Sequence, residues 1–362
     1  MSMRLFLLLT IVLLLSACAA PVQPQKRFFW PIGSSQPKIE YLKFFAADQD
    51  VRKPESAFAQ AVLGIDPGVP LFSSPRGLDV HDSGKFMVAD VGKQQIIICD
   101  YRTGAIRSLQ DRDGEVVRFP MPIGVAFAAD GGGYVSDTSS GSIYRFNSAE
   151  VVVAEFGKAE LNRPNGLVFD SQRQRLYVAD TLNHQLAVFD PAGNLLERIG
   201  TRGSGPGEFN FPLDVDLGPN GELVVLDALN SRVQVLDASG RFLRSFGERG
   251  TALGSFMMPK ALAVDSLGHV YVTDALAHRF VIFDLAGNYL LTIGGRSVVV
   301  GGNVHPGGFD FPQGIATSGD GGIFVVDSLS RMVHNFQFLT DDYLKQRPVL
   351  EGDLYFPQSL GR

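Results

Sequence analysis

The feature that most constrains this chain is a unit that recurs six times along it. A Val-x-Asp motif stands in each unit, and successive motif aspartates are 47, 43, 47, 47 and 53 residues apart. The six aspartates are Asp90, Asp137, Asp180, Asp227, Asp274 and Asp327. A period of this length over most of a chain indicates a repeat architecture, in which each unit buries its apolar face against its neighbours.

Two further positions keep a nearly fixed distance from each motif aspartate. A proline precedes the aspartate by 15 or 16 residues, and an apolar residue precedes the proline by three. The prolines are Pro75, Pro122, Pro164, Pro212, Pro259 and Pro312, and the apolar residues are Phe72, Phe119, Leu161, Phe209, Phe256 and Phe309. Because the aspartate, the proline and the apolar residue keep this spacing in all six units, the chain repeats one structural element six times.

The segments within a unit are short, rich in β-branched and aromatic residues, and separated by turn residues. The fourth unit contains four such segments, at 213–217, 222–227, 232–237 and 241–247. Segments of this kind predict β-strands, and none of the repeats shows a sustained helical period. Four strands in each period therefore predict an all-β fold, a six-bladed β-propeller of four-stranded antiparallel blades.

The residues that follow the second segment of a unit carry a family resemblance. DTLNHQL (180–186) and DALNSRV (227–233) share the pattern Asp-x-x-Asn, and GPGEF (205–209) lies between them. This pattern resembles the NHL-repeat family over residues 38–340. The resemblance implies a propeller that presents a polar face to a protein, a glycan or another ligand.

The last unit is incomplete, and its missing strand is found at the other end of the chain. Residues 340–348 (TDDYLKQRP) follow the third strand of this unit where an outer strand is expected. IEYLKFFA (39–46) has the pattern of an outer strand. We expect this N-terminal strand to close the ring on blade 6, which removes two free sheet edges, and the tail 341–362 to lie outside the ring.

The N-terminal residues predict export and lipid attachment. Residues 1–17 combine one basic residue with an apolar run that is shorter than a membrane span, as in a secretory signal peptide. Leu15-Ser16-Ala17-Cys18 resembles the bacterial lipobox, which implies acylation of Cys18. Ala19 then favours the outer membrane, with the protein facing the periplasm. Residues 18–37 are rich in Pro, Gln and Ser and are expected to form a tether.

The cysteine count argues against a disulfide-stabilised fold, and the charge argues against a nucleic-acid binder. The predicted acylation modifies the Cys18 thiol, and Cys99 stands in the apolar run 96–99. No internal disulfide is therefore expected. Removal of the signal peptide removes only Arg4 and leaves 31 basic and 38 acidic residues. An acidic chain without a Lys/Arg run is a poor nucleic-acid binder, so no nucleic-acid partner is expected.

The repeat predicts that His184 is a turn residue and not a metal ligand or catalytic group. Its counterparts in the other units are Gln94, Gly141, Ser231, His278 and Arg331. A position that accepts such different side chains is determined by the turn it makes. By the same reasoning the six repeated aspartates hold the fold together, and function is expected where one repeat departs from the others.

The repeats differ most in the two residues that follow each repeated proline, where the innermost strand is expected to begin at the mouth of the central channel. The residue after each proline is Arg76, Ile123, Asn165, Leu213, Lys260 or Gln313, and the next is Gly77, Gly124, Gly166, Asp214, Ala261 or Gly314. Arg76, Lys260, Asn165 and Gln313 suit an anionic or polar ligand, with Asp214 orienting one donor. The alternative interpretation is a solvated rim.

Two enzyme classes resemble this shape. Six-bladed lactonases use calcium, and a peptidyl-hydroxyglycine amidating lyase uses zinc with histidines. None of the six histidines stands in the innermost register, so no zinc site is expected, whereas Asn165 and Asp214 leave calcium open as an alternative. The sequence therefore favours a non-catalytic binding scaffold in the cell envelope, without a cofactor, and a metal-dependent hydrolase or lyase is the alternative.

Overall fold

The computed structural model describes residues 27–52, 68–296 and 305–354. Strands β1 (Phe28–Trp30) and β2 (Ile39–Phe45) come first and are followed by the short helix α1 (Asp48–Val51). Blade 1 then contains β3 (Pro75–His81), β4 (Lys85–Asp90), β5 (Gln95–Asp100) and β6 (Ala105–Ser108). Blade 2 contains β7 (Pro122–Phe127), β8 (Gly133–Asp137), β9 (Ser142–Phe146) and β10 (Val152–Phe156).

The remaining blades repeat this order. Blade 3 contains β11 (Pro164–Asp170), β12 (Arg175–Asp180), β13 (Gln185–Phe189) and β14 (Leu195–Ile199). The short strands β15 (Thr201–Arg202) and β16 (Glu208–Phe209) pair in parallel between blades 3 and 4. Blade 4 contains β17 (Pro212–Leu217), β18 (Leu223–Asp227), β19 (Arg232–Leu236) and β20 (Phe242–Phe246). Blade 5 contains β21 (Pro259–Val264), β22 (His269–Asp274), β23 (Arg279–Asp284) and β24 (Tyr289–Gly294). Blade 6 contains β25 (Pro312–Thr317), β26 (Gly322–Asp327) and β27 (Met332–Phe338), and helix α2 (Asp341–Gln346) follows.

The predicted all-β, six-bladed propeller is confirmed, including its closure by an N-terminal strand. Strand β2 pairs antiparallel with β27, with Ile39 opposite Phe338 and Phe45 opposite Val333, so β2 is the outer strand of blade 6. Strand β1 adds a fifth strand to that sheet. The first and last parts of the fold therefore share one sheet, which covers edges that would otherwise be exposed.

The apolar residue three positions before each proline fills the space between two blades. Phe209 packs in one cluster with Tyr177 and Leu186 of blade 3 and with Val225 and Leu236 of blade 4. Each of the other five residues lies in the cluster between its own pair of blades. All six are at most 8 % exposed. Burial of an aromatic side chain contributes roughly 1.5–3 kcal/mol, so these residues join the blades into one ring.

The repeated aspartate is structural, as the sequence indicated. It is fully buried in all six blades and accepts a backbone N–H from one or both residues that precede the leading proline. In blade 4, the Asp227 carboxylate accepts hydrogen bonds from the Asn210 N–H at 2.7 Å, from Asn230 Nδ2 at 2.8 Å and from Arg232 Nε at 2.8 Å. The aspartate therefore ties the segment that enters each blade to the end of its second strand.

His184 occupies a left-handed turn position, which confirms that prediction. Its φ is 56°, and the φ values of its counterparts are 55° for Gln94, 71° for Gly141, 53° for Ser231, 55° for His278 and 55° for Arg331. This region is uncommon for residues other than glycine, so the surrounding turn imposes it. The His184 Nδ1 atom accepts the Phe211 N–H at 3.2 Å, which connects this turn to blade 4.

The two ends of the described chain meet at the outer edge of blade 6. The Arg27 guanidinium binds both carboxylate oxygens of buried Glu40 at 2.8 Å and also donates to Asp353 at 2.8 Å. The Tyr343 hydroxyl donates to the same Glu40 carboxylate at 2.9 Å. Buried Arg–carboxylate pairs of this geometry are strong, so the start of the fold and the tail stabilise each other.

Residues 27–37 correct the expected limits of the tether. This segment was assigned to the tether 18–37, but it contains β1 and the buried Trp30, which packs in the cluster between blades 5 and 6. The predicted signal peptide 1–17, Cys18 and Ala19 lie outside the described residues. Cys99 is a free, buried thiol in β5. Within the ranges that the structure describes, no helix is long and apolar enough to cross a membrane.

Replacement of the buried aspartate of blade 4 is expected to destabilise the fold strongly. Asp227→Ala leaves the Asn210 N–H without its acceptor and the Arg232 guanidinium without its charged partner. We expect the free energy of unfolding in urea to fall by about 3 kcal/mol, because one partner of a buried pair is removed. The exposed Asp113→Ala is the control and is expected to change it by less than about 0.5 kcal/mol. Equal effects of the two substitutions would contradict a structural role for Asp227.

Candidate functional site at the channel mouth

The six inner strands surround one central cavity with a volume of about 210 Å³. These strands are β3, β7, β11, β17, β21 and β25, and each of them begins with one of the repeated prolines. An inner strand faces the channel along one edge, so a proline there removes no hydrogen bond from the sheet. The prolines therefore mark where each strand enters the wall of the channel.

All five side chains predicted to form a site line this cavity. They come from five different blades and are far apart in sequence: Arg76 from blade 1, Asn165 from blade 3, Asp214 from blade 4, Lys260 from blade 5 and Gln313 from blade 6. In every blade the pairing of the inner strand shifts register directly after the proline. Such irregularities re-aim side chains next to functional sites, and here they occur at the residues that line the mouth.

The mouth brings together the cationic side chains of Arg76 and Lys260. Burial lowers the pKa of Lys260, and the neighbouring charges of Arg76 and Arg163 lower it further. Within residues 27–52, 68–296 and 305–354, neither Arg76 nor Lys260 forms an ion pair with an acidic side chain. The Lys260 ammonium lies 5.9 Å from the centre of the Phe311 ring. Arg163 was not among the predicted site residues, because it stands before its proline.

Two hydrogen-bond donors at the mouth lack acceptors. Arg76 Nε and Gln313 Nε2 are buried, and neither makes a hydrogen bond with the part of the chain that is described. A buried polar group without a partner costs about 1–3 kcal/mol, so such groups in a native protein call for an explanation. Arg76 and Gln313 both line the same cavity.

The inner strands approach each other too closely for side chains at the second position after most prolines. A Cβ atom at Gly77 would lie 1.9 Å from the Ile123 carbonyl oxygen, and one at Gly124 would lie 2.3 Å from the Asn165 carbonyl oxygen. Glycine is required where two backbones come this close. The channel is therefore narrow, and the side chains one position earlier determine what can enter it.

Asp214 replaces glycine at this position, but it has a different role from the one predicted. One carboxylate oxygen accepts the Val215 N–H at 3.0 Å, and the other accepts the Leu262 N–H of blade 5 at 3.0 Å. A Cβ atom at Gly166 would lie 1.8 Å from Asp214 Oδ1. Asp214 therefore links two blades within the channel wall, and it does not orient Arg76 or Lys260.

Two further carboxylates of the wall were missed in the sequence. Asp79 and Asp216 stand four residues after their prolines, where the other blades have Ala126, Val168, Ala263 and Ala316. Asp79 accepts the Phe127 N–H at 2.6 Å, and Asp216 accepts the Val264 N–H at 2.8 Å, so each reaches the next blade. A carboxylate at a position that is otherwise small and apolar is the signal that could have revealed them.

Burial raises the pKa of all three wall carboxylates. The pKa rises to about 8 for Asp214, to about 7 for Asp79 and to about 6 for Asp216. Neighbouring carboxylates raise the values of Asp214 and Asp79 further, whereas backbone N–H donors oppose the shift in all three. A protonated carboxylate is therefore favoured in this wall near neutral pH.

The residues proposed for calcium do not form a cluster of acidic ligands. Both oxygens of Asp214 are occupied by backbone N–H groups. Within the described ranges, no group of three or more His, Cys, Asp or Glu side chains is arranged to hold a metal ion. Calcium at Asn165 and Asp214 stays an alternative prediction without support from this geometry.

Comparison with protein families agrees with this architecture. A model described as a 6-bladed beta-propeller matches residues 166–222, and a model described as an NHL repeat matches residues 209–236. The NHL repeat-containing protein 2 of Bos taurus is 26 % identical over an alignment of 163 residues that covers 42 % of this chain and 19 % of that protein. The predicted resemblance to NHL-repeat propellers is confirmed, and the alignment covers only about a fifth of that relative.

Solved structures share the fold at low sequence identity. A Bacteroides thetaiotaomicron protein of unknown function aligns with a TM-score of 0.60 and 14 % identity, covering 84 % of this chain and 78 % of that one. A streptogramin B lyase aligns with a TM-score of 0.55 and 11 % identity, covering 74 % and 95 %. A catalytically inactive virginiamycin B lyase from Staphylococcus aureus with quinupristin aligns with a TM-score of 0.54 and 12 % identity, covering 74 % and 96 %. Likeness at these identities extends to the fold alone.

The wall carboxylates predict a pH dependence of stability. A carboxyl group with a raised pKa binds its proton more tightly in the folded state, so its contribution is complete below the unfolded pKa and is lost as pH rises through the folded pKa. Stability is therefore expected to fall between about pH 4 and pH 8, by at most about 1.4 kcal/mol per pH unit for each group. Asp214→Asn is expected to reduce the slope of the free energy of unfolding in urea against pH. The exposed Asp113→Asn is the control and is expected to leave that slope unchanged. An unchanged slope in Asp214→Asn would show that its pKa is not raised.

Proposed function

We propose that this NHL-repeat six-bladed β-propeller is a non-catalytic binding scaffold, anchored to the outer membrane through Cys18, that holds an anionic group at its channel mouth. The observation that carries the proposal is the cluster of unneutralised cations. Arg76 and Lys260 line one cavity, and the described residues supply no carboxylate partner for either side chain. A ligand with carboxylate, phosphate or sulfate groups would supply the missing negative charge.

The unpaired donors of the mouth support the same class of ligand. Arg76 Nε and Gln313 Nε2 need acceptors, and an oxyanion offers several acceptors within a small volume. The wall carboxylates Asp79, Asp214 and Asp216 form no ion pair with these cations and accept backbone N–H groups of neighbouring blades instead. Buried donors and cations that converge on one cavity favour a bound anion over a solvated rim.

The proposed anchor would keep this binding face near the membrane. Arg27, where the described fold begins, stands nine positions after Cys18. Fully extended, this stretch reaches at most about 30 Å. A partner would accordingly be a protein, a glycan or a small anionic molecule of the cell envelope.

Removal of both mouth cations is expected to weaken anion binding without unfolding the protein. Arg76→Gln/Lys260→Gln keeps polar side chains of moderate length and removes two charges. With citrate as the probe, isothermal titration at constant ionic strength is expected to give a Kd at least about tenfold weaker than that of the unaltered protein.

Arg173→Gln/Arg241→Gln is the matched control for this experiment. It removes the same charge from turns at the opposite end of the blades, where Asp170 and Asp237 are the partners of the two arginines. Equal loss of citrate binding in both double variants would mean that net charge, not the mouth, attracts the anion. A citrate Kd in Arg76→Gln/Lys260→Gln equal to that of the unaltered protein would refute the proposed site.

Lipid attachment has its own test, with the second cysteine as the control. Cys18→Ser in the full chain is expected to abolish incorporation of labelled palmitate and to move the protein from the membrane fraction to the soluble periplasmic fraction. Cys99→Ser is expected to retain both label and membrane, because Cys99 is buried in β5. Palmitate incorporation that persists in Cys18→Ser would rule out this anchor.

A further inference from the structure

An exposed leucine recurs at one turn position in four consecutive blades. It stands two residues after the repeated aspartate in blades 3, 4, 5 and 6, whereas blades 1 and 2 have Gly92 and Ser139 there. These four residues, the leucine arc, are Leu182, Leu229, Leu276 and Leu329, with exposures of 38, 61, 48 and 68 %. Single exposed apolar residues are ordinary on protein surfaces, but these four recur at one position of the repeat.

The leucine arc lies on the same face as the channel mouth. Each arc leucine follows the end of a second strand, and that end pairs with the proline at which the inner strand begins, as in Pro212 with Asp227 and Pro312 with Asp327. Three exposed methionines precede inner-strand prolines on this face. They are Met121, Met257 and Met258, with exposures of 38, 40 and 37 %.

The opposite face has a different composition. Its turns join the first to the second strand and the third to the fourth strand of a blade. In the described part of these turns, one large apolar side chain is exposed, Leu267 at 63 %. Since both faces contain turns of the same repeats, the repeat itself does not explain why the apolar side chains are on the mouth side.

The turn does not require leucine. Blades 1 and 2 make the same left-handed turn, with φ of 55° at Gln94 and 71° at Gly141, although they lack the leucine. The side chains of the arc are exposed rather than packed into a cluster of the core. The leucines are therefore not explained by the stability of the fold.

Charge and apolar surface are continuous at the edge of the mouth. The Lys260 ammonium lies over the Phe311 ring, and the Phe311 carbonyl oxygen accepts the Ser328 N–H at 3.1 Å. Ser328 directly precedes Leu329 of the arc. A partner that reaches the cations of the mouth would therefore contact apolar side chains as well.

We infer that the leucine arc and the basic mouth together form a docking surface for a protein that presents aliphatic side chains around one or more carboxylates. This inference deepens the proposed function and rests on it for the role of Arg76 and Lys260. Charge complementarity selects the carboxylate, and the exposed leucines select the apolar surface around it. A small anion could fill the 210 Å³ cavity, but it would not cover side chains on four of the six blades.

The test uses random peptides displayed on phage, selected against the full chain in detergent. Enriched peptides are expected to combine Leu, Ile, Met or Phe with Asp or Glu. A synthetic peptide of enriched sequence is expected to bind Leu229→Ser and Leu329→Ser about tenfold more weakly than the unaltered chain. A version of the peptide in which Asn and Gln replace Asp and Glu is expected to bind the unaltered chain about tenfold more weakly as well. The same loss is expected when the original peptide binds Arg76→Gln/Lys260→Gln.

Leu267→Ser is the matched control, because Leu267 is as exposed as Leu229, at 63 % against 61 %, and lies on the opposite face. It is expected to bind the peptide normally, and thermal unfolding checks that all variants are folded. If the arc variants bind the peptide as Leu267→Ser does, or if no peptide is enriched, the inference is overturned. The proposed function then still stands or falls on citrate binding by Arg76→Gln/Lys260→Gln.

A second copy of the chain is the competing occupant, and sedimentation distinguishes it. The inference expects the unaltered chain to sediment as a monomer at the concentration of the binding assay. A dimer that Leu229→Ser converts to monomers, while Leu267→Ser does not, would make the arc a self-association surface and would overturn the docking of a different protein.

Discussion

The pairing of β2 with β27 is the constraint on which the rest of this structure depends. Six blades can surround a channel only if the last blade packs against the first, and blade 6 obtains its outer strand from residues that precede blade 1. This closure holds the inner strands at distances that exclude side chains at Gly77 and Gly124. The contacts of Arg27 and Tyr343 with Glu40 reinforce the same sheet from both ends of the fold.

A closed ring of repeats separates structural roles from candidate functional ones. Residues that occur in all six blades, such as the buried aspartates and the apolar residues before the prolines, make the same contacts six times. Some residues that differ between blades are structural as well, since Asp79, Asp214 and Asp216 link inner strands. Arg76 and Lys260 at the mouth and Leu229 on the same face make no such link, and both proposals for function rest on them.

The sequence predicted which residues line the channel better than it predicted their interactions. It brought Arg76, Asn165, Asp214, Lys260 and Gln313 to one mouth, because equivalent positions of a repeat occupy equivalent places in a ring. It assigned Asp214 to a ligand, although the carboxylate binds backbone N–H groups of its own and the next blade. A pattern along the chain contains no information on which backbone donors of another blade lie within 3 Å.

The sequence by itself determined the number of blades, their strands, the turn positions and the closing strand. All of these follow from local periodicity and from one unit that lacks a strand. The tertiary structure decided what the side chains do across blades: that Asp79, Asp214 and Asp216 link inner strands, that residues 27–37 begin the fold, and that four leucines share a face with the mouth. These properties depend on distances between segments about fifty residues apart in the chain, which exist only once the ring is closed.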